Sequence, residues 1–175
     1  MPAPHSLDDV FSRWVDGHVV VLYRVAFRML GNVHDAEDAL QDTLRSAWIS
    51  RHLYDPARSE RAWLLAILRR RVADRWRAAE RVPAAIEIDE RLAPRRSEPE
   101  PFADELSAAM QQALARLPAE LRETLLLVVV GELTHQEAAD LLDVPLGTVL
   151  SRVSRARKRL REHLLADPPA VKRAR

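Results

Sequence analysis

Between Thr148 and Lys158 the chain reads TVLSRVSRARK, a run that interleaves hydroxyls and cations with apolar residues. At about 100° per residue, Val149, Val153, Ala156, Leu160 and Leu164 fall on one apolar stripe of a helix. Ser151 and Lys158 point almost directly away from that stripe, and Thr148, Ser154 and Arg155 share the exposed side. Arg152 and Leu150 lie on opposite flanks. The chemistry suits duplex nucleic acid. Short hydroxyls let a helix approach base edges, and an arginine donates two parallel bonds to guanine O6 and N7. Arg157, Arg159 and Arg161 are better placed for phosphates, which position a helix without reading sequence.

A second basic element, RAWLLAILRRRVADRWRAAER, runs from Arg61 to Arg81. Its arginines are mixed with Trp63 and Trp76, and aromatics beside cations suit single-stranded or melted nucleic acid, by stacking and charge neutralisation. Tryptophans at helical spacing also suit a core, so the residues leave both readings open. Signs of catalysis are lacking. There is no cysteine, hence no disulfide, thiolate zinc site or cysteine nucleophile. No glycine-rich phosphate loop or metal-ligand cluster occurs, and the six histidines are scattered, at solvated or helix-end positions. We expect no enzyme activity, no cofactor, no metal and no small-molecule substrate.

These residues need helices to hold them. Four glycines and 5% aromatics among 175 residues argue against a sheet, whose strands and hairpins favour those types. Alanine, leucine, arginine and glutamate dominate, and the expected class is all-α. Charge then divides the chain. Residues 51–81 carry nine arginines against four acids, net +5, and residues 147–175 are net +7. The stretches 1–50, 82–110 and 111–146 are net −3, −4 and −4, so the formal total of +1 conceals two basic centres. Between them, Pro83, Pro94, Pro99 and Pro101 stand in an acidic segment without helical period, which reads as a linker. The expected organisation is a helical domain over 1–81, a linker over 82–107, a second helical domain over 108–166 and a disordered basic tail over 167–175. The N-terminus lacks a secretory signal pattern and no apolar run reaches membrane-spanning length, so a cytoplasmic protein without membrane insertion is expected.

In the first domain Val10, Phe11, Trp14, Val15, His18, Val19, Leu22, Val25, Ala26, Met29 and Leu30 mark one face of a helix that Gly31 ends. Asn32 is placed to cap a second helix, which buries Ala36, Ala39, Leu40, Thr43, Leu44, Ala47 and Trp48 and exposes Glu37, Asp38, Gln41 and Asp42, with Asp35 near its N-terminus. A third helix, from about Ser59 to Arg81, buries Trp63, Leu64, Ile67, Leu68, Val72 and Trp76. The second domain begins with a helix from Leu106 to Leu117. Pro118 then opens the first turn of another, with a core over Leu121–Val130 and a break at Gly131. Thr134 and Glu137 form a capping box for a short helix, and the turn LDVPLG leads into the basic helix. Two short helices joined by a tight turn, the second basic, make a helix-turn-helix.

Four stretches in this order, DAEDALQDTLRSAW from Asp35, ERAWLLAILRRRVADRWR from Glu60, LARLPAELRETLLL from Leu114 and LTHQEAADLLDVPLGTVLSRVSRARKRL from Leu133, resemble bacterial sigma factors of the extracytoplasmic-function group. The resemblance implies a promoter-specificity subunit of RNA polymerase. It assigns Asp35, Glu37, Asp38, Gln41 and Asp42 to docking on the clamp coiled coil of the largest core subunit. It assigns Arg58, Arg61, Trp63, Arg69, Arg70, Asp74 and Arg77 to recognising and melting the minus-ten element. Thr148, Ser151, Arg152, Ser154, Arg155 and Lys158 would read the minus-thirty-five element as duplex. The linker would thread toward the active-site and RNA-exit path, and an anti-sigma partner is a further expectation. Three residues depart from the family pattern: Arg70 stands where asparagine is frequent, Asp143 where glycine is, and Leu150 where lysine or arginine is. The alternative is a helix-turn-helix regulator that binds promoter DNA without polymerase. It accounts for residues 133–160 but gives no reason for the acidic second helix or the first basic element.

Overall fold

The computed structural model describes residues 7–81 and 108–166, which fall in two compact units. All regular structure among the described residues is helical, and no helix there is long and apolar enough to cross a membrane. The acidic segment 82–107 and the tail 167–175 lie outside the described residues.

The first unit packs three helices against one another: α1 (Leu7–Leu30), α2 (Val33–Ser50) and α3 (Glu60–Arg81), with a 3₁₀ turn at Arg51–Leu53. Gly31 ends α1 in left-handed geometry (φ 73°), where a side chain would be strained, and its N–H closes on the Phe27 carbonyl at 2.8 Å. Asn32 caps α2 as expected, its side chain accepting from the Asp35 N–H at 3.2 Å. The core is built from Trp14, Leu22 and Val25 of α1, Ala36, Ala39 and Ala47 of α2, and Leu64, Leu65, Leu68 and Val72 of α3. Alanines on the buried face of α2 let it approach its neighbours closely. Thr43 is fully buried there, with its hydroxyl donating to the Ala39 carbonyl at 2.6 Å, so it leaves no polar atom unpaired.

The second unit packs α4 (Ala108–Ala115), α5 (Ala119–Val129) and α6 (His135–Leu142) around α7 (Leu146–Ala166). Val149, Val153 and Ala156 are buried, while Leu160 and Leu164 are half-buried, so the predicted stripe is the seam of α7. The capping box is present in full. The Glu137 N–H donates to Thr134 Oγ1 at 3.1 Å, and the Thr134 N–H donates to Glu137 Oε2 at 2.8 Å. Asp143 then closes α6 in the left-handed region (φ 53°, ψ 51°). Pro145 follows, its carbonyl accepting from Thr148 and Val149 to start α7.

Several sequence expectations change. Pro118 is the residue before α5 rather than part of its first turn, and its carbonyl takes the N–H groups of Leu121 and Arg122 at 3.0 Å. The break at Gly131 stands as expected, its N–H on the Leu126 carbonyl at 2.8 Å, and Glu132 beside it is left-handed (φ 54°). Trp48, expected inside, is 37% exposed, although its neighbour Ala47 is fully buried. Phe11 meets one side of its ring and the Arg51 guanidinium lies 3.8 Å above it. Leu40, Leu44, Trp63, Ile67 and Trp76 are half-buried, whereas Leu65 is wholly buried. His18 is neither solvated nor terminal. It sits mid-helix and half-buried, with Nε2 3.5 Å from the Glu60 carboxylate.

Candidate nucleic-acid and polymerase interfaces

The acidic residues of α2 form one outward surface. Glu37, Asp38, Gln41 and Asp42 are exposed, and Asp35 is partly so. Steps of three and four residues stack Asp35, Asp38 and Asp42 on one side, where their charges would repel. Arg75 relieves that repulsion from α3. Its Nη2 lies 3.1 Å from Asp42 Oδ2, and its Nη1 lies 3.5 Å from Asp38 and 3.9 Å from Asp35. The Arg75 side chain is only 24% exposed, whereas the three aspartate side chains are 51–61% exposed. The acids therefore keep open sides toward solvent while being held in register.

Ahead of α3, the segment Tyr54–Ser59 is tied down locally. The Tyr54 hydroxyl donates to the Arg58 carbonyl at 2.7 Å, and Asp55 Oδ1 accepts from the Ala57 N–H at 2.9 Å. Ser59 Oγ accepts from the Ala62 N–H at 3.3 Å at the start of the helix. The Tyr54 ring packs against Trp14 and Trp63, with centroids 4.8 and 5.4 Å away, and Trp14 and Trp63 are themselves 5.1 Å apart. Burial, then the carboxylates of Glu60 and Asp55, push the Tyr54 phenol above its ordinary pKa. Trp63 is thus part of a platform under the loop, which favours the core reading for it. Arg58 stands out from the loop with its side chain 80% exposed, 3.8 Å from Asp55. On α3, Arg70 and Arg77 are exposed, and Arg61 and Arg69 partly so. Asp74 pairs with both Arg71, at 3.4 Å, and Arg77, so within the fold it aligns two cations.

On α7 the expected reading residues divide. Ser151, Ser154, Arg155 and Lys158 are exposed and Thr148 is half-exposed. Ser151 Oγ donates to the Thr148 carbonyl at 2.9 Å, and Arg155 folds back so that Nε donates to the Ser151 carbonyl at 3.3 Å. Arg152 has a different neighbour. Its Nη2 meets Glu120 Oε2 on α5 at 2.7 Å and its side chain is 18% exposed, so it fastens α7 to α5. Neither Arg75 nor Glu120 carries a signal in the local pattern, since their partners lie 33, 37 and 32 residues away in sequence. On the other flank Leu150 is 49% exposed.

The chain is similar to known proteins over both units. Residues 14–82 match the family model for Sigma-70 region 2, and residues 107–160 match that for Sigma-70, region 4. The chain is 31% identical over 167 residues to the ECF RNA polymerase sigma factor SigW of Bacillus subtilis, covering 89% of each protein. It is 36% identical over 151 residues to the ECF RNA polymerase sigma factor SigE of Mycolicibacterium smegmatis, covering 84% of this chain but only 58% of that longer protein. Among solved structures, the sigma factor RpoE from Bartonella quintana, co-crystallised with the anti-sigma factor NepR, aligns over 90% of this chain and 98% of its own. The TM-score there is 0.77 at 28% identity. With both conserved regions matched in order and a relative covered over nearly its whole length, the chain belongs to the extracytoplasmic-function sigma factors.

Proposed function

We propose that this chain directs promoter-specific initiation by docking on core RNA polymerase through α2, melting the minus-ten element at α3 and reading the minus-thirty-five element with α7. The observation that carries the reading is the exposed acidic surface of α2, with Asp38 its most open carboxylate in the Arg75 cluster. A surface of that sign repels DNA phosphates and suits a cationic protein. The clamp coiled coil of the largest core subunit is the partner we assign to Asp35, Glu37, Asp38, Gln41 and Asp42. Region 2 corresponds to residues 1–81, region 4 to residues 108–166, and 82–107 to the connection between them.

For the minus-ten element, Arg58, Arg61, Arg69, Arg70 and Arg77 offer cations along one loop and helix, with Trp63 and Asp74 holding that element in shape. For the minus-thirty-five element, Thr148, Ser151, Ser154, Arg155 and Lys158 supply the donors, and Arg152 fixes the helix that carries them. Bond making belongs to the polymerase, so the chain contributes recognition and no catalysis of its own. It acts in the cytoplasm, where the polymerase works. Anti-sigma control is supported by the Bartonella quintana relative, whose structure was solved with such a partner.

Reversing charge at Asp38 (Asp38→Arg) is expected to weaken binding to purified core while leaving the circular dichroism of the chain unchanged. It should lower specific run-off transcription in parallel. Unchanged core affinity would remove Asp38 from the interface. If the wild-type chain bound promoter duplex but not core at all, the regulator reading would stand instead.

A further inference from the structure

The geometry points to Leu150 as a specificity residue of the helix-turn-helix, one that reads the C5-methyl group of a thymine within the minus-thirty-five duplex. The inference rests on the proposal that α7 enters that duplex, and adds which base feature one side of it recognises.

Leu150 heads a ridge of α7. Ser154, Arg157, Lys158 and Arg161 follow at steps of three and four residues, and together they line a shallow groove of about 530 Å³. The opposite wall carries His135, the first residue of α6. The ridge is basic apart from the short Ser154, with Leu150 as its exposed aliphatic residue at the N-terminal end, and the buried Val153 forms part of the groove floor. In helix-turn-helix docking, the N-terminal residues of the second helix reach base edges while the first helix crosses the backbone. Arg157, Lys158 and Arg161 would follow phosphates along the groove, which brings Leu150 to the level of the bases.

The space there is open. A Cβ on Gly147 would meet no atom within 4 Å, and Ser151 and Ser154, which follow Leu150, are short and exposed. A leucine side chain neither donates nor accepts a hydrogen bond. The one major-groove feature of a base pair that it complements is the thymine methyl, since every other distinguishing group there is a donor or an acceptor. A cation at this position would instead seek guanine or phosphate, and would not favour a methyl group. Leu150 thus replaces affinity that falls with salt by a contact that depends on base identity.

Methyl deletion tests this directly. A minus-thirty-five duplex is selected from a random library by holoenzyme assembled from the full chain, and each dT is replaced singly by dU. That change removes one methyl group and no hydrogen bond. One replacement is expected to weaken wild-type binding roughly fourfold, the worth of one buried methyl-sized group. In Leu150→Ala holoenzyme the same replacement should have no effect, because the partner of the methyl is already gone. Leu150→Arg should lose the methyl preference as well and gain a steeper salt dependence, by about one phosphate contact. The inference is overturned if no dU replacement weakens wild-type binding, or if the replacement weakens Leu150→Ala just as much. Failure to select any duplex sequence upstream of the minus-ten element would overturn the docking of α7 as well, which distinguishes the two failures.

Discussion

The phenol of Tyr54 shows how one side chain can hold a recognition loop. It donates to the Arg58 carbonyl, packs on Trp14 and Trp63, and has its pKa raised by burial and by the carboxylates of Glu60 and Asp55. Only the neutral phenol can donate that bond. The folded state therefore holds its proton more tightly than the unfolded one, and the stability linked to it is complete below about pH 10. It is lost as pH rises through the raised folded value. Urea midpoints measured across that alkaline window should fall for the wild-type chain and fall less for Tyr54→Phe. At neutral pH the same substitution should cost about 0.5–1.5 kcal/mol, the net worth of one hydrogen bond. Residue-scale legibility followed sequence distance. The capping box of Thr134 and Glu137 and the cap at Asn32 span three residues each, and both were readable. The fastening of Arg152 to Glu120 spans 32 residues and was not, so an arginine assigned to bases turned out to have a protein partner.

At the scale of elements, the turn between α6 and α7 decides how the reading helix is presented. Asp143 occupies the left-handed position that glycine fills without strain. Left-handed geometry costs an ordinary L-residue about 1–2 kcal/mol, and aspartate somewhat less. Asp143→Gly should therefore stabilise the second unit, by up to about 1 kcal/mol in thermal unfolding, with duplex binding unchanged. A lowered midpoint would mean that the aspartate side chain contributes more than its backbone costs. In the first unit the comparable device is the Arg75 cluster joining α3 to α2. A double-mutant cycle on Arg75→Ala and Asp42→Asn should give a coupling of about 0.5–1 kcal/mol that shrinks with added salt, since the carboxylate is more than half exposed. Helix existence, order and apolar faces were legible because the 3.6-residue period states them. Trp48 lies at the edge of the face centred on Ala36, Thr43 and Ala47, and periodicity gives a face, not how completely its edges are covered.

For the whole molecule, the near-zero formal charge of +1 arises from segments that differ strongly in sign. The basic ones coincide with α3 and α7, and the acidic surface of α2 faces outward within its own unit. A chain arranged this way suits two polyanion contacts and one cationic protein contact without a large net field. The aromatic residues are as unevenly shared as the charges. All four tryptophans (Trp14, Trp48, Trp63 and Trp76) and both tyrosines (Tyr23 and Tyr54) precede the acidic segment, and none follows it. Tryptophan and tyrosine emission therefore originates wholly in the first unit. The second unit is silent in that emission, though its helices contribute to far-ultraviolet dichroism. On heating, emission should follow a single transition while dichroism follows the melting of both units. Asp143→Gly should shift the dichroism curve and leave the emission midpoint where it was. The uneven placement of indoles thus makes the unlabelled chain its own two-channel reporter, able to tell which unit a mutation has stabilised.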